Sequence, residues 1–143
     1  VKNLETMFLP LLLLLFSFHF FQAEKGDIQL KMNNLRSRNG KILISIFQSS
    51  DGFPSDEKKS FKSWVLQPEA VLKLEDIPPG KYALAILHDE DKNFKMTYHW
   101  TGIPKEGFGF SMVKTGLLKI PSFEKAAFQH SARGTSLDIE MHY

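Results

Sequence analysis

Residues 28–32 read Ile-Gln-Leu-Lys-Met, with Ile28, Leu30 and Met32 on one side and Gln29 and Lys31 on the other. A period of two belongs to an extended chain half-buried on a core, so this stretch predicts a strand. A turn-rich connection follows, ending in Asn39-Gly40, a pair suited to positive backbone dihedrals. Beyond it Ile42, Ile44 and Ile46 alternate with Leu43, Ser45 and Phe47, which predicts a more central strand paired with the first. Residues 50–70 have no clear period. Pro54 and Pro68 bracket them, and they predict a long loop in which Ser55 caps one or two helical turns. Phe61 and Trp64 would pin that loop to the body, or face a ligand as a flap.

Periodicity returns at Val71, where a short strand to Leu74 leads into the turn "EDIPPGK" and the strand "YALAILH". Tyr82, Leu84 and Ile86 share one face, and Ala83, Ala85, Leu87 and Asp89 the other, a pattern that fits a strand buried on both sides. Tyr82 suits a corner role in which its hydroxyl ties down a neighbouring connection. In "PSFEKAAF", Ser122 is placed to cap a single turn with Glu124 near its start. The chain then alternates again, with Leu137, Ile139 and Met141 inward and Asp138, Glu140 and His142 outward. Short strands, intervening turns and no strand–helix repeat predict an all-β fold. It is an immunoglobulin-like or transthyretin-like β-sandwich of about seven strands with one or two short helical turns. An open or partly closed barrel is the main structural competitor.

One segment breaks this pattern. From Met7 to Phe21 the chain is apolar except for Ser17 and His19. That is the length of a signal-peptide core and short of the ~20 residues of a bilayer span. Residues 1–23 are therefore expected to be a signal peptide cleaved after Ala23; a retained anchor or a buried helix are the alternatives. The initial Val fits an alternative bacterial start codon. Residues 24–143 then form a single domain, exported to the periplasm or secreted, with no stable membrane span after cleavage.

Composition narrows the function further. There is no Cys, so neither a disulfide framework nor a lipidated cysteine is expected. The net charge of +2 comes from interspersed Lys and Glu, which is not a nucleic-acid footprint.

The candidate chemistry lies between His88 and Ser111. Asp89, Asp91 and Asn93 offer oxygens at alternate positions, and the Lys95 carbonyl would extend a calcium set, because calcium takes six to eight oxygens. Lys92 and Phe94 stand where a tight metal loop wants glycine. Thr97 offers only a hydroxyl, and Trp100 stands where a bidentate acid would close a helix–loop–helix site. The alternative is an Asx-type turn whose side chains bond their own backbone. In "GIPKEGFGFS", Phe108 and Phe110 share a face of an extended segment. Trp100, Lys105, Glu106 and Phe108 make the candidate rim for a ligand or partner. His88, Asp89 and His99 would serve a transition metal, and Glu106 and Ser111 lie near, but no nucleophile motif, zinc-protease motif or phosphate loop is present. No residue is assigned a catalytic role.

The ordered motifs "PPGKYALAILHDED", "GIPKEGFGFS" and "PSFEKAAF" resemble the bacterial domain-of-unknown-function family 2141 from about Gly26 to Tyr143. The resemblance implies an exported single β domain with no established activity. In place of Asp89–Thr97 the family pattern is Asp-x-Asn-Gly-Asn-Gly-Lys-x-Asp, itself like a calcium loop. Asp89 and Asn93 match it and Asp91 keeps an oxygen, whereas Lys92 and Phe94 replace both glycines and Thr97 replaces the final aspartate. The expectation is a non-catalytic binding or structural domain with no obligatory cofactor and an extracellular protein or glycan as ligand. A calcium-stabilised adhesion or carbohydrate-binding module and a metal-assisted hydrolase are the alternatives. The acidic loop and "PKEGFGF" are expected together at one rim, with Phe61 and Trp64 nearby.

Overall fold

The structure is a computed structural model that describes residues 24–114 and 119–143. The predicted signal peptide, residues 1–23, lies outside the described residues. Eight strands run in the order β1 (Gly26–Asn33), β2 (Lys41–Phe47), β3 (Lys62–Leu66), β4 (Val71–Ile77), β5 (Gly80–Asp89), β6 (Gly107–Phe110), β7 (Phe128–His130) and β8 (Thr135–Glu140). One sheet has the order β4-β1-β8 and the other β3-β2-β5-β6, with β7 pairing the start of β5. The two sheets face each other as a β-sandwich.

Alternation decides which side chains meet between the sheets. Ile28, Leu30 and Met32 of β1, Leu72 and Leu74 of β4, and Leu137 and Ile139 of β8 point inward from one sheet. Ile42, Ile44 and Ile46 of β2 and Tyr82, Leu84 and Ile86 of β5 meet them from the other. A second apolar cluster covers the opposite face of β5. Phe47, Ala83, Phe110, Phe123 and Ala126 form it, with Ala85 and Phe108 against its edge. The alanines of β5 leave room for the helical turn α1 (Phe123–Ala126) to lie on the sheet. Burial on both faces of β5 thus matches its sequence pattern.

Four details differ from the sequence expectation. β2 does not pair with β1: it lies between β3 and β5, while β1 pairs antiparallel with β4 and parallel with β8. The Asn39-Gly40 connection crosses between sheets, because two half-apolar strands bury more surface by facing each other than by lying side by side. Trp64 lies in β3, opposite Ile44, where the sequence reads as loop. Asp56, not Ser55, caps the 3-10 turn at Glu57–Lys59, accepting the Lys58 N–H. Phe61 packs on Tyr82 at 5.7 Å between ring centroids, at the end of β5 opposite Asp89, so it is not near the acidic loop. The corner role of Tyr82 is seen directly: its hydroxyl donates to the Pro78 carbonyl at 2.9 Å.

Candidate functional site

β5 and β6 hold the site. Their register pairs Ala85 with Phe110, Leu87 with Phe108 and His88 with Gly107. One step further sets Asp89 opposite Glu106. Directly opposed residues of an antiparallel pair place their Cβ atoms about 5 Å apart on one face. Asp89 is fully buried and Glu106 is 3% exposed. Two buried carboxylates opposed in this way repel each other, so their surroundings must compensate them.

The connecting loop supplies that compensation through its backbone. Glu106 Oε1 accepts the N–H groups of Glu90 at 2.9 Å and Asp91 at 3.3 Å, and Oε2 accepts that of Thr97 at 2.9 Å. The Asn93 N–H reaches Asp89 Oδ1 at 3.1 Å, and the Phe94 N–H reaches Asp89 Oδ2 at 3.0 Å. Asp91 Oδ1 also accepts the Asn93 N–H, and its Oδ2 accepts Asn93 Nδ2 at 2.9 Å and the Thr97 hydroxyl at 2.8 Å. Asn93 Oδ1 accepts the Lys95 N–H at 2.9 Å. Such winding requires left-handed backbone, and Lys92 and Phe94 both sit at φ 62°. These are the two positions at which the family resemblance implies glycine. Their side chains are exposed and their Cβ atoms are tolerated at a cost of about 1 kcal/mol each.

As a result, one oxygen from each of Asp89, Asp91 and Glu106 lies within 4.8 Å of the others. Of the residues read as a calcium set, Asp89 and Asp91 contribute carboxylates to this group. Asn93 spends its amide on organising the loop, and Lys95 meets it through its backbone N–H. Glu106, read from the sequence as part of a rim with Trp100, Lys105 and Phe108, lies with the two aspartates. The acidic loop and Glu106 lie together as expected, and the β5–β6 register is what sets Glu106 directly opposite Asp89. The signal for it was the alternation Phe110, Phe108, Glu106 running back along β6 opposite Ala85, Leu87 and Asp89.

The remaining rim residues separate. Phe108 is half-buried, its ring 6.1 Å from that of Phe110. Trp100 and Lys105 are exposed on a narrow ribbon formed by residues 97–105. The Lys105 N–H donates to the Thr97 carbonyl, that of His99 to Ile103, and that of Gly102 to His99, with Tyr98 bridged to Pro104. Trp100 stands at the ribbon tip.

Arg36 closes the outer side. It forms an ion pair with Glu90, donates to the Lys105 carbonyl at 3.0 Å and stacks over the Tyr143 ring at 4.3 Å. The Arg36 guanidinium, helped by the Ser37 hydroxyl, holds the Glu90 carboxyl below its ordinary value against the opposing effect of burial. Glu90 in turn raises Arg36. Burial pushes the Tyr143 phenol up.

The histidine set does not assemble. His88 and Asp89 are consecutive in β5 and therefore point to opposite faces. His88 is buried with both nitrogens occupied, Nε2 2.7 Å from the Asn39 carbonyl and Nδ1 2.8 Å from the Tyr143 hydroxyl. His99 is exposed on the ribbon. Ser111 is also buried; its hydroxyl donates to the Ala126 carbonyl and accepts the Leu84 N–H at 2.8 Å, so it joins strand to turn. These groups form no nucleophile–base pair. Among the described residues no helix is long and apolar enough to cross a membrane.

Among curated proteins and among solved structures, none matches the chain. Residues 30–138 match the family described as "Uncharacterized protein conserved in bacteria (DUF2141)", from the middle of β1 into β8, so the match spans both sheets and the acidic loop. The chain belongs to this bacterial family.

Proposed function

We propose that this is an exported, non-catalytic β domain whose Asp89–Glu106 loop holds one divalent cation, calcium by its all-oxygen chemistry. The observation that carries the reading is the convergence of Asp89, Asp91 and Glu106 within 4.8 Å. Each carboxylate has roughly four lone-pair directions. Backbone and side-chain donors take two on Asp89 and three each on Asp91 and Glu106. Oxygen directions therefore remain on all three, and water or backbone carbonyls would complete a calcium shell. Glu106 supplies the acid that Thr97 lacks, and the loop keeps its winding although Lys92 and Phe94 replace glycine. Export rests on the apolar run at residues 7–21 and on the small Ala23 after it.

A metal-free reading has its own support, because every one of the six carboxylate oxygens already accepts a hydrogen bond. In it the acids are a clamp that ties the loop to β6, and the domain binds through the ribbon. Calorimetric titration with calcium separates the two. Heat of binding, lost in Glu106→Gln, with a melting temperature that rises with calcium, is the expected result. No heat and an unmoved melting temperature at millimolar calcium would leave the clamp alone.

A further inference from the structure

The ribbon beyond the acidic loop carries exposed apolar side chains that the fold does not use. Trp100 is 97% exposed, Phe94 64%, Ile103 61% and Tyr98 55%. All four fall within ten consecutive residues at one end of the sandwich, Phe94 in the acidic loop and the other three on the ribbon, which backbone pairing keeps ordered. Exposed apolar side chains gathered on one ordered projection, unlike ones scattered singly, point to a binding surface.

The charges around it are sorted. Lys92, Lys95 and Lys105 are exposed and form no ion pair among the described residues. Of the acids in the same segment, Asp89 and Glu106 are buried and Glu90 is held by Arg36, whereas Asp91 is exposed, with its carboxylate bonded by Asn93 and Thr97. What reaches outward is a Trp tip, a Tyr, a Phe, an Ile and three ammonium groups against one carboxylate, that of Asp91. A projecting tip has no flat area to lay on a rigid protein face, but it fits a layer that yields around it. Trp and Tyr partition to the bilayer interface, and lysines beside them pair with anionic headgroups.

We propose that the ribbon docks the domain on an anionic lipid surface, with Trp100 and Ile103 entering the headgroup boundary and Lys92, Lys95 and Lys105 on the phosphates. This goes beyond the cation reading and does not rest on it. The test is therefore run with chelator present. The chain has two tryptophans, Trp64 and Trp100, so Trp64→Phe leaves Trp100 as sole reporter. The difference between wild-type and Trp100→Phe spectra reads the same signal with the core intact. The expected result is a blue shift of Trp100 emission with phosphatidylglycerol vesicles and none with phosphatidylcholine vesicles. Each of Lys92→Glu and Lys105→Glu should weaken that response by about fivefold or more. Because the signal comes from residue 100 itself, attachment of the apolar N-terminal segment to vesicles does not produce it. An unmoved Trp100 emission, or an equal shift with both vesicle types, overturns the proposal; an unmoved spectrum beside a retained calcium titration leaves the cation reading standing.

Discussion

Thr97 donates its backbone N–H to Glu106 Oε2 at 2.9 Å, and this one contact joins the far end of the acidic loop to the strand that follows it. The other oxygen of Glu106 holds the near end through Glu90 and Asp91. A single side chain thus closes the loop at both ends.

Removing it should be costly. Glu106→Ala leaves three N–H groups without their acceptor beside a buried Asp89, and a loss of about 3–5 kcal/mol is expected. Glu106→Gln keeps one carbonyl oxygen and should cost less, about 1–3 kcal/mol. Urea denaturation of the two variants beside wild type reads the difference; equal, negligible losses would show that the clamp is unimportant.

Lys92 and Phe94 occupy left-handed backbone without the freedom of glycine. Both side chains are exposed, so little packing is lost on removing them. Lys92→Gly and Phe94→Gly should each stabilise the domain slightly, by up to about 0.5 kcal/mol, the relieved strain exceeding the extra entropy of the unfolded chain. A melting temperature that falls in both variants would contradict this account of the loop.

Acid should weaken the loop base. The Glu90 carboxyl titrates below its ordinary value because of Arg36, so its stabilisation is full above the unfolded value of about 4.3 and drains as pH falls through the folded value. Asp27, lowered chiefly by its hydrogen bond to Lys73, acts with the same sign. Stability should therefore decline below about pH 4.3, and Arg36→Gln should flatten part of that decline. A denaturation series across pH 2–6 in the two proteins checks the difference in slope.

Tyr143 gives a third handle on the same corner. Its hydroxyl meets the buried His88 Nδ1 at 2.8 Å and accepts the Arg36 N–H at 3.2 Å. Gly107 lies beneath its ring, where a Cβ would come within 2.3 Å of a ring carbon. Tyr143→Phe keeps the ring under Arg36 but leaves His88 Nδ1 without its partner, at about 1–2 kcal/mol. Gly107→Ala should displace the ring and cost at least as much, as read by thermal unfolding.

Local pattern made much of the fold legible. Alternation at Ile28–Met32, at Ile42–Ile46 and along β5 follows from the two-residue period of a strand, and the alanines of β5 announced a second buried face. β3 was not legible, because Lys62–Leu66 is half-exposed at a sheet edge and its polar positions read as loop. β7 was too short to show a period. Pairing was less legible still: β1 and β2 look like a hairpin in sequence, yet they lie in opposite sheets. The acidic loop was legible as Asx turns from Asp89 to Asn93. Glu106 was not, because its partner lies seventeen positions earlier and only the β5–β6 register brings the two together.

The sequence by itself determined the strand periods, the apolar faces, the oxygen-rich loop and the family motifs, since each depends on residues close together in the chain. Tertiary structure alone decided which strands pair and that Glu106 faces Asp89. Those are matters of register, and the choice among registers is made by how much apolar surface two sheets bury against each other, a quantity no local window contains.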